Sequence, residues 1–238
     1  MAVAFIPNCV SYDPTFSYEL AVIIQDGLRR MFQEQENIFY YITTMNEAYP
    51  QPALPEGVRE GILKGIYLFR EGGAGRVQLL GCGAILREVI AAADLLAEDF
   101  EIAADVWSVP GINPLRRDGL DVQRWNMLHP EEPPRLSTIE QCLKDHPGPV
   151  VAATDYIKLY ADQLRPFIPR RYVVLGTDGF GRSDTRANLR RYFEVNRYYI
   201  VVAALKALAD EGTIPATRVS KALKQYGIDP DKPNPVTV

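Results

Sequence analysis

Glycine, acidic and arginine residues are concentrated in the stretch GTDGFGRSDTRANLRRYFEV, from Gly176 to Val195. Its three glycines, within six positions, allow positive φ angles and a tight change of direction. We expect Ser183 or Asp184 to cap a following helix. That helix would carry three arginines on its surface: Arg186, Arg190 and Arg191. A strand, a glycine-rich turn and a capped helix are typical of a ligand-binding edge of an α/β sheet, but ordinary strand-to-helix connections have the same order.

A second glycine pair, Gly81-Cys82-Gly83, also lies between a predicted strand and a predicted helix. A nucleotide-binding loop of the G-x-G-x-x-G type would occupy this position. However, Leu86 stands where that pattern has its third glycine, and no acidic residue is placed to hold a ribose. The pattern therefore favours a tight turn that needs small residues.

Asp178-Gly179, followed by Asn196, is similar to the acidic-glycine-asparagine pattern that holds magnesium on thiamine diphosphate. Two features argue against such a site. Thr177 precedes Asp178 where that motif has glycine, and the interval to Asn196 is too short. Magnesium also prefers such a carboxylate beside ligand phosphates. A turn carboxylate that bonds to its own backbone is the favoured interpretation.

The two histidines, His129 and His146, each precede a proline. Each is therefore expected in an extended or turn conformation. A nucleophile or general base needs a partner at about 3 Å, and the sequence has no Ser-His or Cys-His pattern, so structural roles are favoured. Four further arginines could bind carboxylates of a partner but are expected by default on solvated faces: Arg116, Arg117, Arg124 and Arg135.

The elements that position these residues alternate between strand and helix from about residue 64 onward. Such alternation predicts a three-layer α/β domain with a mostly parallel sheet. A turn is expected at Glu71–Gly75. The predicted strands are Ile66–Phe69, Val77–Leu80, Ala103–Val109, Val150–Ala153 and Tyr172–Leu175. The predicted helices are Ala84–Ala97, Ser137–Lys144, Tyr156–Leu164, Arg197–Asp210 and Thr217–Tyr226, and the proline-bearing tail is expected on the surface.

Residues 1–50 form a separate unit in this interpretation. Asp13-Pro14 starts a helix whose apolar residues recur at helical spacing from Tyr18 to Met31, and a strand follows at Ile38–Thr43. One helix and one strand cannot enclose a core, so we expect them to be the remnant of another α/β domain. The unpaired helix is expected to expose Leu20, Ile23 and Ile24, and thus to drive association. Residues 51–63, which contain prolines and follow Pro50, are predicted to be an extended linker.

Composition excludes several classes of protein. The net charge of −4 and the pI near 5.4 argue against a nucleic-acid surface. Cys9, Cys82 and Cys142 lack C-x-x-C spacing, so reduced cytoplasmic thiols are expected, without a disulfide framework or zinc site. The longest apolar run, Tyr198–Ala209, is too short to span a membrane. The start, MAVAFIPNCV, has no basic n-region and too little apolar length for a signal peptide.

Five segments carry a resemblance to a known family: YYITTMNEAYPQPALPEGVREGILKGIY, VQLLGCGAILREV, DGLDVQRWNMLHP, ATDYIKLYADQLRPFIP and LGTDGFGRSDTRANLRRYFEV. They resemble the C-terminal end of the homodimeric bacterial pyruvate dehydrogenase, the thiamine-dependent decarboxylase component of its complex. The similarity runs from about Ile6 to Pro235, and one departure is Ala48, where the family tends to have asparagine. The resemblance implies that residues 1–50 end the middle, pyrimidine-binding domain. Residues 51–63 would then be the linker, and residues 64–238 a transketolase-type C-terminal domain.

The resemblance also implies cofactors and partners. The complete enzyme would use thiamine diphosphate and Mg²⁺ to decarboxylate pyruvate and acetylate a lipoyl group. The family places the cofactor-binding and catalytic positions upstream of the position that matches Ile6. We therefore expect no catalytic, cofactor-binding or metal residue in this chain, and no activity when it is isolated. Expected partners are a second copy, the remainder of the decarboxylase component and the lipoyl acetyltransferase.

Two alternatives stay open at this point. The chain could be a stand-alone dimerisation or regulatory module without catalysis, or, less favoured, an independent small-molecule enzyme that uses the Gly176 turn. Met1 and the unmatched Ala2–Phe5 suggest a truncated or split gene product. An adjoining upstream reading frame that encodes the diphosphate motif would favour the split enzyme.

Overall fold

The computed structural model describes residues 6–73 and 76–238. Residues 1–5 and the last two residues of the predicted Glu71–Gly75 turn lie outside these ranges. The strands are β1 (Cys9–Tyr12), β2 (Phe39–Ile42), β3 (Tyr67–Arg70), β4 (Val77–Gly81), β5 (Ala104–Ser108), β6 (Val150–Ala153) and β7 (Tyr172–Leu175). The helices are α1 (Ser17–Leu28), α2 (Arg59–Lys64), α3 (Leu86–Phe100), α4 (Ile112–Leu128), α5 (Thr138–Leu143), α6 (Lys158–Asp162), α7 (Arg186–Tyr192), α8 (Arg197–Asp210) and α9 (Thr217–Gln225).

Strands β3 to β7 form one sheet in the order β3-β5-β4-β6-β7. Strands β4 to β7 run parallel, and β3 is antiparallel to β5 at one edge. Neighbouring residues of a strand point to opposite faces, so Leu79 packs with α3 and α8 whereas Leu80 packs with α4, α5 and α6. These contacts produce two core clusters with the sheet between them. The predicted three-layer, mostly parallel α/β fold is confirmed.

The N-terminal residues contain one strand more than the sequence pattern predicts. Strand β1 pairs in parallel with β2; it is short and contains Cys9 and Ser11, so it lacks a strong β-branched pattern. Helix α1 begins at Ser17 and continues into a π-helical turn at Arg29–Gln33. Its apolar residues share the larger core cluster with residues of α2, α3 and β3.

This packing corrects one expectation about helix α1. Ile23 is fully buried, and Leu20 is half-buried, because this side of the helix lies against the α/β domain. Ile24 is exposed as expected, at 45% of its surface. Leu28 and Phe32 are exposed at 59% and 80% and lie at i+4 and i+8 from Ile24. We call Ile24, Leu28 and Phe32 the outer stripe.

Two further elements differ from the sequence-based prediction. The apolar spacing indicates no helix between residues 110 and 136, where α4 lies. That helix buries few of its side chains. Its Gly119 lies against the Phe167 ring, and any larger residue at this position would collide with that ring. Helix α2 begins at Arg59, inside the predicted extended linker, and buries Ile62 completely. Among the described residues, no helix has the length and apolar character needed to cross a membrane.

Candidate functional site

The parallel strands β4, β6 and β7 end at a common edge of the sheet. The chain leaves β4 towards β5 on one side and leaves β6 towards β7 on the other. A crevice outside the carboxyl ends of two such strands is where open α/β sheets bind ligands. This edge is therefore the first place to look for a site.

Residues of the N-terminal segment fill the crevice beside β4. The Asp13 backbone carbonyl accepts a hydrogen bond from Gly83 N at 3.1 Å. The Asp13 carboxylate packs so closely against Gly83 that a Cβ at this position would collide with it. Thr15 Oγ1 donates to the Gly83 carbonyl at 2.8 Å. Thr43 Oγ1 donates to Asp13 Oδ1 at 2.5 Å. A carboxylate thus stands where a nucleotide loop would hold phosphate, which supports the interpretation of Gly81-Cys82-Gly83 as a tight turn.

Burial controls the protonation of this cluster. It raises the pKa of Asp13 to about 6, against a hydrogen bond from Thr43 that favours the ionised carboxylate. Burial also raises the pKa of the Cys82 thiol, and the charge of Asp13 adds to this effect. Cys82 is therefore a neutral thiol, which donates weakly to Thr154 Oγ1 at 3.6 Å. A neutral thiol is a poor nucleophile.

Glu19 makes a second connection between α1 and the α/β domain. Its carboxylate is fully buried and accepts four hydrogen bonds. The donors are Thr15 N at 2.5 Å, Phe16 N at 2.9 Å, Tyr67 Oη at 2.6 Å and Ser108 Oγ at 2.6 Å. The sequence pattern does not predict the role of Glu19, because the N-cap residue is Phe16 and a capping box has Ser or Thr at that position.

The Gly176–Val195 segment forms one wall of a cleft at the same edge. Thr185, not Ser183 or Asp184, caps α7, because Thr185 Oγ1 accepts from Asn188 N at 3.3 Å. Gly179 has a φ of +112°, and a Cβ there would collide with the Pro235 carbonyl. Gly176 packs against the backbone of Tyr156 and Lys158, whereas Gly181 faces open space.

An ion-pair network links this segment to the end of the N-terminal unit. Glu47 lies 2.9 Å from Arg87 and 3.9 Å from both Arg186 and Arg190. Arg186 also donates to Asn46 Oδ1 at 2.7 Å. The polar role of this loop is therefore carried by Asn46 and Glu47, on the N-terminal side of Ala48.

Glu88 extends the network to helix α8. It contacts Arg190 at 3.3 Å and Arg197 at 2.9 Å. Burial opposes the ionisation of Glu88, but hydrogen bonds from Arg197 and the charges of Arg197 and Arg190 outweigh it, so its pKa is lowered. Glu88 therefore stays ionised and holds both arginines in place.

The histidines lie away from this edge. His129 stacks on Trp125 with 4.4 Å between ring centroids. His146 Nδ1 lies 2.9 Å from Asp105 Oδ2, at the amino end of the parallel strands. Burial opposes the ionisation of Asp105, but hydrogen bonds from Gly72, His146 and Gln78 lower its pKa.

The four arginines considered as possible carboxylate-binding residues do not line the cleft. Among them, Arg117 donates to the Ile6 carbonyl and Arg135 stacks on Trp125.

The possible magnesium pattern is not assembled. Asp178 Oδ1 accepts from Lys158 N at 3.2 Å, and its other oxygen lies 3.8 Å from Lys158 Nζ. Asn196 caps α8 by accepting from Tyr198 N and Tyr199 N at 3.1 and 3.2 Å. Asn196 is fully engaged as a helix cap, whereas Asp178 bonds through one oxygen and its Oδ2 is buried without a hydrogen-bond partner among the described residues. Because Asn196 is committed to its cap, this pair of donors does not fit a magnesium-bound diphosphate.

Comparisons with known proteins identify two regions of the chain. The family described as transketolase-like TK C-terminal domain matches residues 65–196. The pyruvate dehydrogenase E1 component middle domain matches residues 1–52. Pyruvate dehydrogenase E1 components from Cupriavidus necator and Pseudomonas aeruginosa are 59% and 60% identical over 99% and 97% of this chain. The chain spans 27% of the length of each relative, and the resemblance predicted from the sequence is confirmed.

Solved structures support the fold. A transketolase from Leishmania mexicana has a TM-score of 0.60 and 17% identity, over 90% of this chain and 28% of that one. A structure described as a split gene transketolase, inactive beta4 tetramer, has a TM-score of 0.58 and 17% identity, over 87% of this chain and 60% of that one. At such identities these likenesses concern the fold alone.

Proposed function

We propose that this chain, which belongs to the family of transketolase-like C-terminal domains, acts as the C-terminal part of a pyruvate dehydrogenase E1 component. The assembled enzyme would decarboxylate pyruvate on thiamine diphosphate with Mg²⁺ and reductively acetylate a lipoyl group. The support is the high identity to E1 components over nearly the whole chain, together with the middle-domain match at residues 1–52.

One structural observation carries this proposal. One side of the N-terminal unit packs against and hydrogen-bonds to the α/β domain, and the other side is exposed to solvent. Its inner side is held by the Asp13 carbonyl, which accepts from Gly83 N, and by Glu19, which accepts from Tyr67 and Ser108. The outer stripe of α1 presents apolar side chains to solvent. A terminal piece of a larger domain has this character, because its other packing partners lie outside it.

The isolated chain is proposed to be inactive. Three of its buried carboxylates are engaged in structural bonds: Glu19 with four donors, Glu88 with arginines, and Asp105 with Gly72, Gln78 and His146. General acid–base catalysis needs a group that can reach substrate. A neighbour in fold is itself described as an inactive tetramer of a split gene transketolase. We propose that thiamine diphosphate, Mg²⁺ and the catalytic groups are held by segments outside this chain.

The expected division and partners follow from the same proposal. Residues 1–50 would complete the middle domain, residues 51–63 would link it, and residues 64–238 would form the C-terminal domain. The partners would be a second copy, the remainder of the E1 component and the lipoyl acetyltransferase. Cys9, Cys82 and Cys142 are free thiols, which supports a reducing, cytoplasmic compartment.

Complementation tests the proposal. A Pseudomonas aeruginosa E1 component that ends before the region matched by this chain would be co-expressed with the chain. We expect thiamine diphosphate-dependent pyruvate decarboxylation when both are present, and none with either alone. Titration calorimetry with cofactor and Mg²⁺ should detect no binding to the isolated chain.

The outer stripe supplies the matched variants. Ile24→Gln, Leu28→Gln and Phe32→Gln combined should abolish complementation, because these side chains would contact the rest of the middle domain. Met127→Gln and Leu128→Gln, on an exposed part of α4, should leave it unchanged. Decarboxylation by the chain alone, or no activity with both parts although they co-purify, would contradict the proposal.

A further inference from the structure

A cleft of about 310 Å³ lies beyond the carboxyl ends of β6 and β7, next to α7. Asp155 follows β6 and Thr177 follows β7, and both line it. Its remaining wall is made by the Gly179 loop and by arginines of the loop and α7. A volume of this size is at the lower end of those that hold small organic ligands.

The cleft offers several donors that the protein does not use. Arg182 stacks 4.4 Å from the Tyr192 ring centroid and donates no hydrogen bond to another described residue. Arg186 donates through Nη2 to Asn46, and its Nε is 3.9 Å from Glu47, beyond hydrogen-bond distance. From Asp178 to Asp184, no backbone N–H donates to another residue in the described ranges.

Acidic groups restrict what the arginines can bind. Asp155 lines both this cleft and a neighbouring one of about 510 Å³, and its carboxylate accepts no hydrogen bond from a described residue. Although the Asp155 side chain is open to the cleft, desolvation by the surrounding protein raises its pKa, against the charges of Arg190 and Arg186. A bare anion would be repelled by Asp155. A ligand with a hydroxyl group beside its anionic group would instead donate to this carboxylate.

We propose that this cleft binds a small phosphate monoester that carries a hydroxyl group near the phosphate. Arg182 and Arg186 bind the phosphate together with N–H groups of the Gly179 loop, and Asp155 accepts from the hydroxyl. Guanidinium groups and loop N–H groups are typical phosphate donors. A phosphate has three oxygens with which to meet donors from several directions, whereas a carboxylate has two in one plane. The apolar side chains of Leu189 and Phe193 provide the carbon surface of the cleft.

Phosphorus-31 NMR titration of the full chain at fixed ionic strength tests this inference. The probes are glycerol 3-phosphate and inorganic phosphate, with glycerate as the carboxylate counterpart followed by proton NMR. We expect glycerol 3-phosphate to bind with a dissociation constant of about 1 mM or tighter, inorganic phosphate about tenfold more weakly, and glycerate no better than inorganic phosphate.

Three variants separate the parts of the site. Arg182→Gln, at an exposed residue outside the ion-pair network, should weaken glycerol 3-phosphate binding about tenfold, and Arg186→Gln should do the same. Asp155→Asn should remove the preference for glycerol 3-phosphate over inorganic phosphate. Arg124→Gln, at another exposed arginine, should leave binding within about twofold.

Three outcomes would overturn the inference. They are the absence of saturable binding up to about 10 mM, an equal loss with Arg182→Gln and Arg124→Gln, and glycerate binding as tight as that of glycerol 3-phosphate. The titration uses the isolated chain and measures no decarboxylation. Its result is therefore independent of the complementation experiment.

Discussion

The two sides of helix α1 have similar apolar residues but different surroundings. On the inner side, Ile23 is fully buried and Glu19 bonds to Tyr67 and Ser108 of the α/β domain. On the outer side, the outer stripe faces solvent. The inner side joins the N-terminal unit to the α/β domain, so we expect these two parts of the chain to unfold together. The outer side buries less apolar surface and is therefore expected to contribute less to that stability, while its exposed side chains can contact another chain.

This difference shows what helical periodicity leaves undecided. The spacing of apolar residues correctly indicates a helix, but it does not say which of two adjacent apolar rows finds a neighbour. The polar residue Glu19 marks the inner row here, because a buried carboxylate with four donors requires a specific neighbouring structure. Polar residues therefore determine which side of the helix packs against the α/β domain as much as apolar residues do.

The largest expected effect comes from breaking the inner side at Glu19. Glu19→Ala leaves two hydroxyl and two backbone N–H donors without their acceptor, and each buried unsatisfied group costs about 1–3 kcal/mol. Allowing for relaxation and water entry, we expect the free energy of unfolding to fall by about 3–5 kcal/mol. The urea midpoint and slope measure this change.

Two controls accompany this variant. Glu19→Gln keeps the shape but turns an amide group towards donors, so a loss of about 2–3 kcal/mol is expected. Glu60→Ala removes a solvent-exposed ion pair with Lys64 and should leave the urea midpoint unchanged. A loss below about 1 kcal/mol for Glu19→Ala would mean that the junction does not depend on this carboxylate.

Much of the fold, and less of the site, follows from the sequence. The buried strands of the sheet are short apolar runs, and α8 has a long apolar pattern capped by Asn196, so both are recognisable locally. Helix α4 is not predicted from the sequence because few of its side chains are buried, so its apolar periodicity is weak. Its Gly119 packs against Phe167, a contact that local sequence does not reveal. The ion pairs of Glu47 and Glu88 could not be predicted from the sequence, because each joins residues that are distant along the chain.

A second test compares the inner junction with another tight contact, at Gly179. Gly179→Val should lower the free energy of unfolding by about 1–3 kcal/mol, because a β-branched residue is strained at positive φ. The added Cβ would also collide with the Pro235 carbonyl. The urea midpoint is the readout.

Gly181→Ala is the matched control for this substitution. A Cβ at Gly181 meets open space, and its φ is not in the left-handed region. Its effect should lie within about 0.5 kcal/mol. Equal midpoints for Gly179→Val and the unmodified chain would show that the turn and the tail adjust freely.

A third test uses pH to examine Asp13 at the inner junction. Its folded-state pKa of about 6 lies above the value of 3.8 that it has when unperturbed. Between about pH 4 and pH 6, the Asp13 carboxyl group therefore keeps its proton in the folded state but has lost it in the unfolded state. The resulting stabilisation is fully present below about pH 4 and is lost as pH rises through about 6, by about 1–3 kcal/mol in all.

Asp13→Asn isolates this contribution, because asparagine keeps an oxygen that accepts from Thr43 but does not titrate. Urea unfolding at intervals from pH 4 to pH 7 should show that the stability difference between the unmodified chain and the variant shrinks or reverses as pH rises. A difference that is constant over this range would mean that Asp13 is ionised normally in the folded protein.

The smallest effect on stability, and the clearest on association, is expected from the outer stripe. Combined Ile24→Gln, Leu28→Gln and Phe32→Gln should leave the free energy of unfolding nearly unchanged, since exposed substitutions usually stay within about 0.5 kcal/mol each. The unmodified chain should form a dimer or larger species at micromolar concentration, because solvent-facing apolar patches drive association. Ile23→Ser is unsuitable for this test, because Ile23 is fully buried and its loss would unfold the junction.

Light scattering on the unmodified and triple-variant chains separates two origins of assembly. If the outer stripe holds the copies together, the variant becomes monomeric while its urea midpoint is retained. If a surface of the α/β domain holds them together, the variant remains a dimer. A monodisperse monomer of the unmodified chain would refute both, and the outer stripe would then be too small to associate without the rest of the middle domain.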